Sequence, residues 1–151
     1  MQPAEHKRIK AKRIILLTVT VLVAAFIFTQ SLLPRSISAG ESGWFAEHIV
    51  NPLLRFVGIR AQGDHIARKI AHVAEFAALA FLLVFCLRGN ILYSAAAGFL
   101  AGFLDETLQV FSDRGAMIAD VWIDLIGVSI GILVGCLFRN AILHRKKNAI
   151  E

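Results

Sequence analysis

Eight ionisable side chains sit inside stretches that are otherwise apolar, and their spacing places them on shared helix faces. In Arg68-Lys69-Ile70-Ala71-His72-Val73-Ala74-Glu75-Phe76, a turn of about 100° per residue puts Arg68, His72 and Glu75 on one face, with Lys69 at its edge. In Asp105-Glu106-Thr107-Leu108-Gln109, Asp105 and Gln109 share a face with Gly98 and Gly102, and Glu106 flanks it. Asp120 and Asp124 stand one turn apart, and their face continues as Gly127, Gly131 and Gly135, small residues that let a second helix come close. Such residues can do chemistry. An imidazole beside carboxylates can exchange a proton or help hold a cation, while guanidinium and ammonium groups can grip a phosphate or carboxylate. Each charge at bilayer depth costs about 2.5–3.5 kcal/mol even on permissive scales, so each requires an explanation.

The elements that must carry these residues are visible in the composition. The chain has 151 residues, of which 57% are hydrophobic and 18% charged, against about 25% charged in an ordinary soluble domain. This excludes a disordered chain, a disulfide scaffold and a typical water-soluble enzyme. The apolar residues gather in four stretches, 14–33, 70–87, 91–111 and 118–138. Each is close to the roughly 20 residues a helix needs to cross hydrocarbon. The expected fold is an all-α integral membrane protein with four transmembrane helices in a compact antiparallel bundle. One membrane domain, 14–138, lies between a basic N-terminal segment, 1–13, and a basic tail, 139–151.

Charge sets the expected orientation. Lys7, Arg8, Lys10, Lys12, Arg13, Arg88, Arg139, Arg145, Lys146 and Lys147 make up 10 of the 16 Lys and Arg, all at one end of the four spans. The positive-inside rule makes that end cytoplasmic, with both termini inside. The +5 net charge is thus a topology signal, and no nucleic-acid partner is expected. The competing reading of residues 1–38 is a cleavable signal peptide with Ser36-Ile37-Ser38 as its small-x-small site, but the apolar run exceeds the usual core of about 7–15 residues. Residues 34–69 form a long outer loop. Within it, 44–59 carries Trp44, Phe45, Ile49, Leu53, Phe56 and Val57 at helical spacing, suiting either a helix lying flat on the membrane or a lid over the bundle. Arg88-Gly89-Asn90 and Ser112–Met117 are short turns. Cys86 and Cys136 read as unpaired packing residues.

With this topology, spans two, three and four bring their polar segments to the same outer depth, and Arg114 in the connecting turn joins them. Gln30 and Ser31 at the end of span one reach that level too. Arg68, Lys69 and Arg114 stand against Glu75, Asp105, Glu106, Asp120 and Asp124, a balance of −2 with His72 neutral. A protonated His72, a proton shared between carboxylates, a bound cation or a ligand amine would each offset it. Taken singly, the plain structural readings are an interhelical hydrogen-bond pair for His72 and Glu75, snorkelling for Arg68 and Lys69, and ion pairing with Arg68 or Arg114 for Asp105 and Glu106. Taken together, eight ionisable groups are a costly choice of glue, and they point instead to an outward-facing pocket.

The ligand-binding set is then Arg68, Lys69, His72, Glu75, Asp105, Glu106, Gln109, Arg114, Asp120 and Asp124. Gly98, Gly102, Gly127, Gly131 and Gly135 are helix-packing positions. A polar lipid headgroup, a lipid-linked cell-wall precursor or a glycopeptide suits such a pocket. The alternative is a membrane enzyme acting on a lipid headgroup, with His72, Glu75 and Asp105 as acid–base groups or as metal ligands. Neither Gly-x-Ser-x-Gly nor His-Glu-x-x-His occurs, so the reading leans away from an enzyme, and no motif assigns a resident metal or cofactor. A small proton-coupled exporter would require a charge near mid-membrane, which the first span lacks.

Three ordered segments, Arg68-Lys69-x-Ala71-His72-x-x-Glu75-Phe76, Asp105-Glu106-x-x-Gln109-x-Phe111-x-x-Arg114 and Asp120-x-x-x-Asp124-x-x-Gly127-x-x-x-Gly131, resemble the signature of VanZ-like membrane proteins. Phe28-Thr29-Gln30-Ser31-Leu32-Leu33-Pro34, with Glu41-Ser42-Gly43 after it, is similar to that family's first span and loop entry. The resemblance covers about residues 14–138. It departs at Asp124, where many members carry Asn, so this chain holds one more negative charge. The resemblance implies a four-helix protein of the bacterial cytoplasmic membrane whose namesake is linked to low-level teicoplanin resistance; it implies no particular reaction.

Overall fold

In a computed structural model the described residues are 3–33, 47–48, 51–56, 63–111 and 118–148. Among them every regular element is a helix: α1 (Pro3–Leu32), α2 (Asn51–Phe56), α3 (Gly63–Cys86), α4 (Ile91–Phe111) and α5 (Ile118–Asn148). Pro3 opens α1 at a position whose N–H would have no helical partner in any case. The helix ends at Leu32, two residues before Pro34, which cannot extend the hydrogen-bond ladder.

Among the described residues, four helices contain segments long and apolar enough to cross a membrane: Lys7–Leu32, Ile66–Cys86, Ile91–Phe111 and Asp120–Arg145. The shorter two have 21 residues, which at about 1.5 Å each reach about 32 Å, enough for a hydrocarbon core of about 30 Å. The helices outrun the apolar stretches at several ends. α3 starts at Gly63 rather than at residue 70, so part of the expected outer loop is helical, and α5 continues through the basic tail to Asn148. Hydropathy marks where hydrocarbon would begin, whereas backbone hydrogen bonding carries on through polar turns. Of the expected 44–59 helix the described part is α2 with residues 47–48; Trp44, Phe45, Ile49 and Val57 lie outside the described residues, and Phe56 is exposed.

The turn after α3 is built from backbone geometry. Gly89 N–H donates to Val84 O (2.7 Å) and Arg88 N–H to Phe85 O (3.3 Å), the paired bonds of a Schellman cap. Arg88 occupies its left-handed position at φ 57°, and Gly89 follows at 82°. Asn90 then caps α4, its Oδ1 accepting from Tyr93 N–H at 3.1 Å.

Cross-helix contacts fix the directions. Thr20 of α1 lies 3.2 Å from Cys86 Sγ near the end of α3, while Ser31 of α1 meets Asp105 of α4. Gly98 and Gly102 of α4 face Val128 and Asp124 of α5, running antiparallel. Gly127, Gly131 and Gly135 of α5 face Val73, Ala77 and Val84 of α3, running parallel. The last approach is very close, since a Cβ on Gly131 would collide with Ala77 O and one on Gly127 would come within 2.6 Å of Val73 O. The core is Ile27, Phe76, Leu79, Ala80 and Val128. Outward-facing positions are large and apolar, among them Leu92, Phe103, Trp122, Ile126, Leu133 and Leu137. A surface of this kind is matched to lipid rather than to water.

Candidate functional site

Each long helix sends a polar side chain to one buried cluster. Asp105 and Asp124 are 0% and 1% exposed, Ser31 is 2%, and Glu106 and Gln109 are nearly as covered. The Ser31 hydroxyl donates to Asp105 Oδ1 and lies 3.1 Å from Ile27 O. Gln109 Nε2 donates to Asp105 Oδ2 at 2.8 Å and to Glu106 Oε1 at 3.2 Å. One helical turn separates Asp105 from Gln109, so α4 positions its own donor for its own carboxylate. His72 of α3, half-buried, closes the cluster: its Nδ1 is 3.4 Å from Asp124 Oδ1 and 3.9 Å from Asp105 Oδ2. Phe76, one turn along α3, stacks in parallel with the imidazole at 6.5 Å and steadies its plane.

The fold places Asp124 by backbone subtraction. It seats over Gly102, where an added Cβ would stand 3.2 Å from the Asp124 Cβ. No hydrogen bond among the described residues reaches either Asp124 oxygen, His72 Nδ1 or Glu106 Oε2. The donor atoms of His72, Asp105 and Asp124 lie within 4.8 Å of one another, on three different helices.

The cluster therefore joins His72, Asp105, Glu106, Gln109 and Asp124 from the expected set. Arg68, Lys69, Glu75 and Asp120 are half-buried around it. Among the described residues, the ion-pair contacts of Asp105 and Asp124 are with His72 rather than with Arg68. Arg114 lies outside the described residues. The residue missing from the expected set is Ser31. Its depth in span one was the available signal, but a serine in an apolar run is commonplace, and only the approach of α4 makes it Asp105's donor.

The opposite end of the molecule is basic. Arg139 of α5 lies against Gly89 in the α3–α4 turn, where a Cβ would meet its guanidinium at 2.5 Å. Arg88, Arg145 and the start of α1, with Lys7, Arg8, Lys10, Lys12 and Arg13, belong to that same end by the helix directions.

Four apolar helices enclosing buried carboxylates near one end define a multi-pass membrane protein with an internal polar site. The sequence comparison agrees: the family profile described as VanZ/LLP1 matches residues 13–139. The matched residues include at least part of each of the four spans, and the chain belongs to the VanZ/LLP1 family. It is also similar to a Bacillus subtilis (strain 168) protein titled "Uncharacterized membrane protein YwnJ", at 40% identity over 63 residues. That match takes in 42% of this chain and 44% of the relative, so the chain spans less than half of the relative's length. No solved structure matches the chain.

Proposed function

We propose that this VanZ-family protein binds a polar headgroup, carried by a membrane lipid or a lipid-linked cell-wall precursor, at the outer face of the bacterial cytoplasmic membrane. In this reading it contributes to tolerance of glycopeptides such as teicoplanin. The observation that carries the reading is the depth of the buried cluster. His72 and Asp105 are each six residues from the end of their spans and Asp124 four from the end of its own, about 9 Å and 6 Å along the helix axes. That places the cluster in one outer third of the hydrocarbon, within about 6–9 Å of the level at which acyl chains give way to headgroups and so within reach of a headgroup drawn inward. An anionic, walled site there suits the amine of a headgroup, and the half-buried Arg68 and Lys69 at its rim suit the phosphate. The basic opposite end supports cytoplasmic termini by the positive-inside rule, which turns the cluster outward.

Native mass spectrometry of gently extracted protein tests the binding. A co-purifying lipid or lipid-linked precursor near one per chain is expected, and it should be lost from Asp105→Asn. Glycopeptide susceptibility of cells carrying Glu75→Gln, Asp105→Asn or Asp120→Asn tests the role. If all three variants reach the membrane folded and leave susceptibility unchanged, the tolerance reading fails.

A further inference from the structure

Two of the buried carboxylates are treated very differently by the fold. Asp105 is held at both oxygens, Oδ1 by Ser31 and Oδ2 by Gln109. Asp124 is just as deeply buried, at 1% exposure, yet no hydrogen bond reaches either of its oxygens among the described residues. The His72 Nδ1 that faces them, in ion-pair range of Asp124 Oδ1 at 3.4 Å, is likewise without a hydrogen bond among the described residues. A side chain serving only to glue helices together would be expected to end in hydrogen bonds, because an unsatisfied buried acceptor loses its hydration without recompense. Here the unbonded atoms instead converge from different helices toward Asp105.

The spacing approaches that around one kind of occupant, matching it between His72 and Asp124 and running wider toward Asp105. Two donors each about 2.0–2.2 Å from a small ion at tetrahedral angles lie about 3.3–3.6 Å apart. His72 Nδ1 and Asp124 Oδ1 are 3.4 Å apart, His72 Nδ1 and Asp105 Oδ2 are 3.9 Å, and all three residues offer donors within 4.8 Å of one another. Two carboxylates with an imidazole favour a borderline cation over calcium or magnesium, which prefer all-oxygen shells. The hydrogen bonds from Ser31 and Gln109 to Asp105 are what a ligating carboxylate needs to hold its orientation. A dication would also offset the clustered negative charge of Asp105, Asp124 and Glu106.

We infer that His72, Asp105 and Asp124 form a binding site for a divalent transition-metal ion of the zinc and manganese class, which ties α3, α4 and α5 together below the rim. Three protein donors leave at least one coordination position for an oxygen. Facing the headgroup level, that position would take a phosphate or carboxylate oxygen; in that respect the inference rests on the headgroup reading, while the ion's own binding does not depend on it.

The test uses full-length protein purified in detergent, stripped with chelator and dialysed against zinc or manganese chloride, with bound metal measured by mass spectrometry. About one ion per chain is expected for wild type and for His144→Ala, a control on the exposed end of α5. Less than a tenth of that is expected for Asp124→Asn and His72→Ala. Zinc should raise the thermal midpoint of wild type by at least about 3 °C and leave that of Asp124→Asn unmoved. Cobalt supplies a readout that does not rely on the variants: wild type should develop visible ligand-field bands that zinc abolishes, so the inference stays testable if a variant does not fold. Wild type binding under a tenth of an ion, or a folded Asp124→Asn retaining a full equivalent, overturns the metal site. Loss of the co-purified lipid with metal uptake intact would instead overturn the headgroup reading.

Discussion

Ser31 is where a single hydroxyl decides the state of a buried carboxylate. It is the donor to Asp105 Oδ1, and Asp105 has no exposed surface through which water could replace it. Ser31→Ala should therefore cost about 1–3 kcal/mol, the usual penalty for stranding a buried acceptor, read as a lower thermal midpoint in detergent. Thr29→Ala, two residues earlier on the exposed side of α1 and, among the described residues, bonded to its own helix at Ala25 O, should shift it by far less. Arg88 makes a separate case. It holds a left-handed conformation at φ 57° that a β-carbon disfavours. Arg88→Gly should stabilise the α3–α4 turn by about 1 kcal/mol, visible as a raised midpoint with the helix content unchanged.

At the scale of elements, the α3–α5 pair governs the site's geometry. Gly127, Gly131 and Gly135 remove the side chains that would hold the two helices apart, so α5 rests against the backbone of α3 at Val73 and Ala77. Membrane helices gain little hydrophobic drive from meeting each other, so this close van der Waals approach is what can hold the pair. The same approach sets His72, one residue before Val73, within reach of Asp124, three residues before Gly127. Gly131→Ala must push its Cβ against Ala77 O, where no flexible side chain can yield. It should destabilise by about 1–3 kcal/mol, measured as a lower midpoint or lost monodispersity. The atoms nearest a Cβ in Gly89→Ala belong to the movable end of Arg139, so its cost would come chiefly from its positive φ.

Across the whole molecule, charge is sorted by end. One end has the Arg88–Gly89 turn with Arg139 folded over it, and the other has the carboxylate cluster. A proposed orientation with both termini cytoplasmic predicts that a fluorescent protein fused after Glu151 will be bright. Alkaline phosphatase fused at the same point should stay inactive, and the reverse pair of results would turn the cluster toward the cytoplasm. Between the ends lies an apolar core of Ile27, Phe76, Leu79, Ala80 and Val128, with Phe81, Phe85 and Phe138 packed together on its basic side at centroid distances of 5.1–6.4 Å. The polar cluster is thus a cap on a conventional core rather than a channel lining running through it.

Residue order alone determined the four helices and the faces on which their polar groups stand. Those properties are local: hydrocarbon length is counted in consecutive apolar residues, and a helix face follows from a fixed angle per residue. The family signature was legible for the same reason, as short spacings within single helices. Helix ends were less so, because α3 and α5 run on into polar residues where hydropathy falls silent. Which polar groups would bond to one another was decided only by tertiary structure. Asp105 and Asp124 read alike as intramembrane carboxylates, yet α1 and α4 supply Asp105 with Ser31 and Gln109, while the polar contact of Asp124 among the described residues is His72 Nδ1, at 3.4 Å. That difference arises from how close three helices come and in what register, and close approach depends on glycines a turn or more away from the groups they bring together.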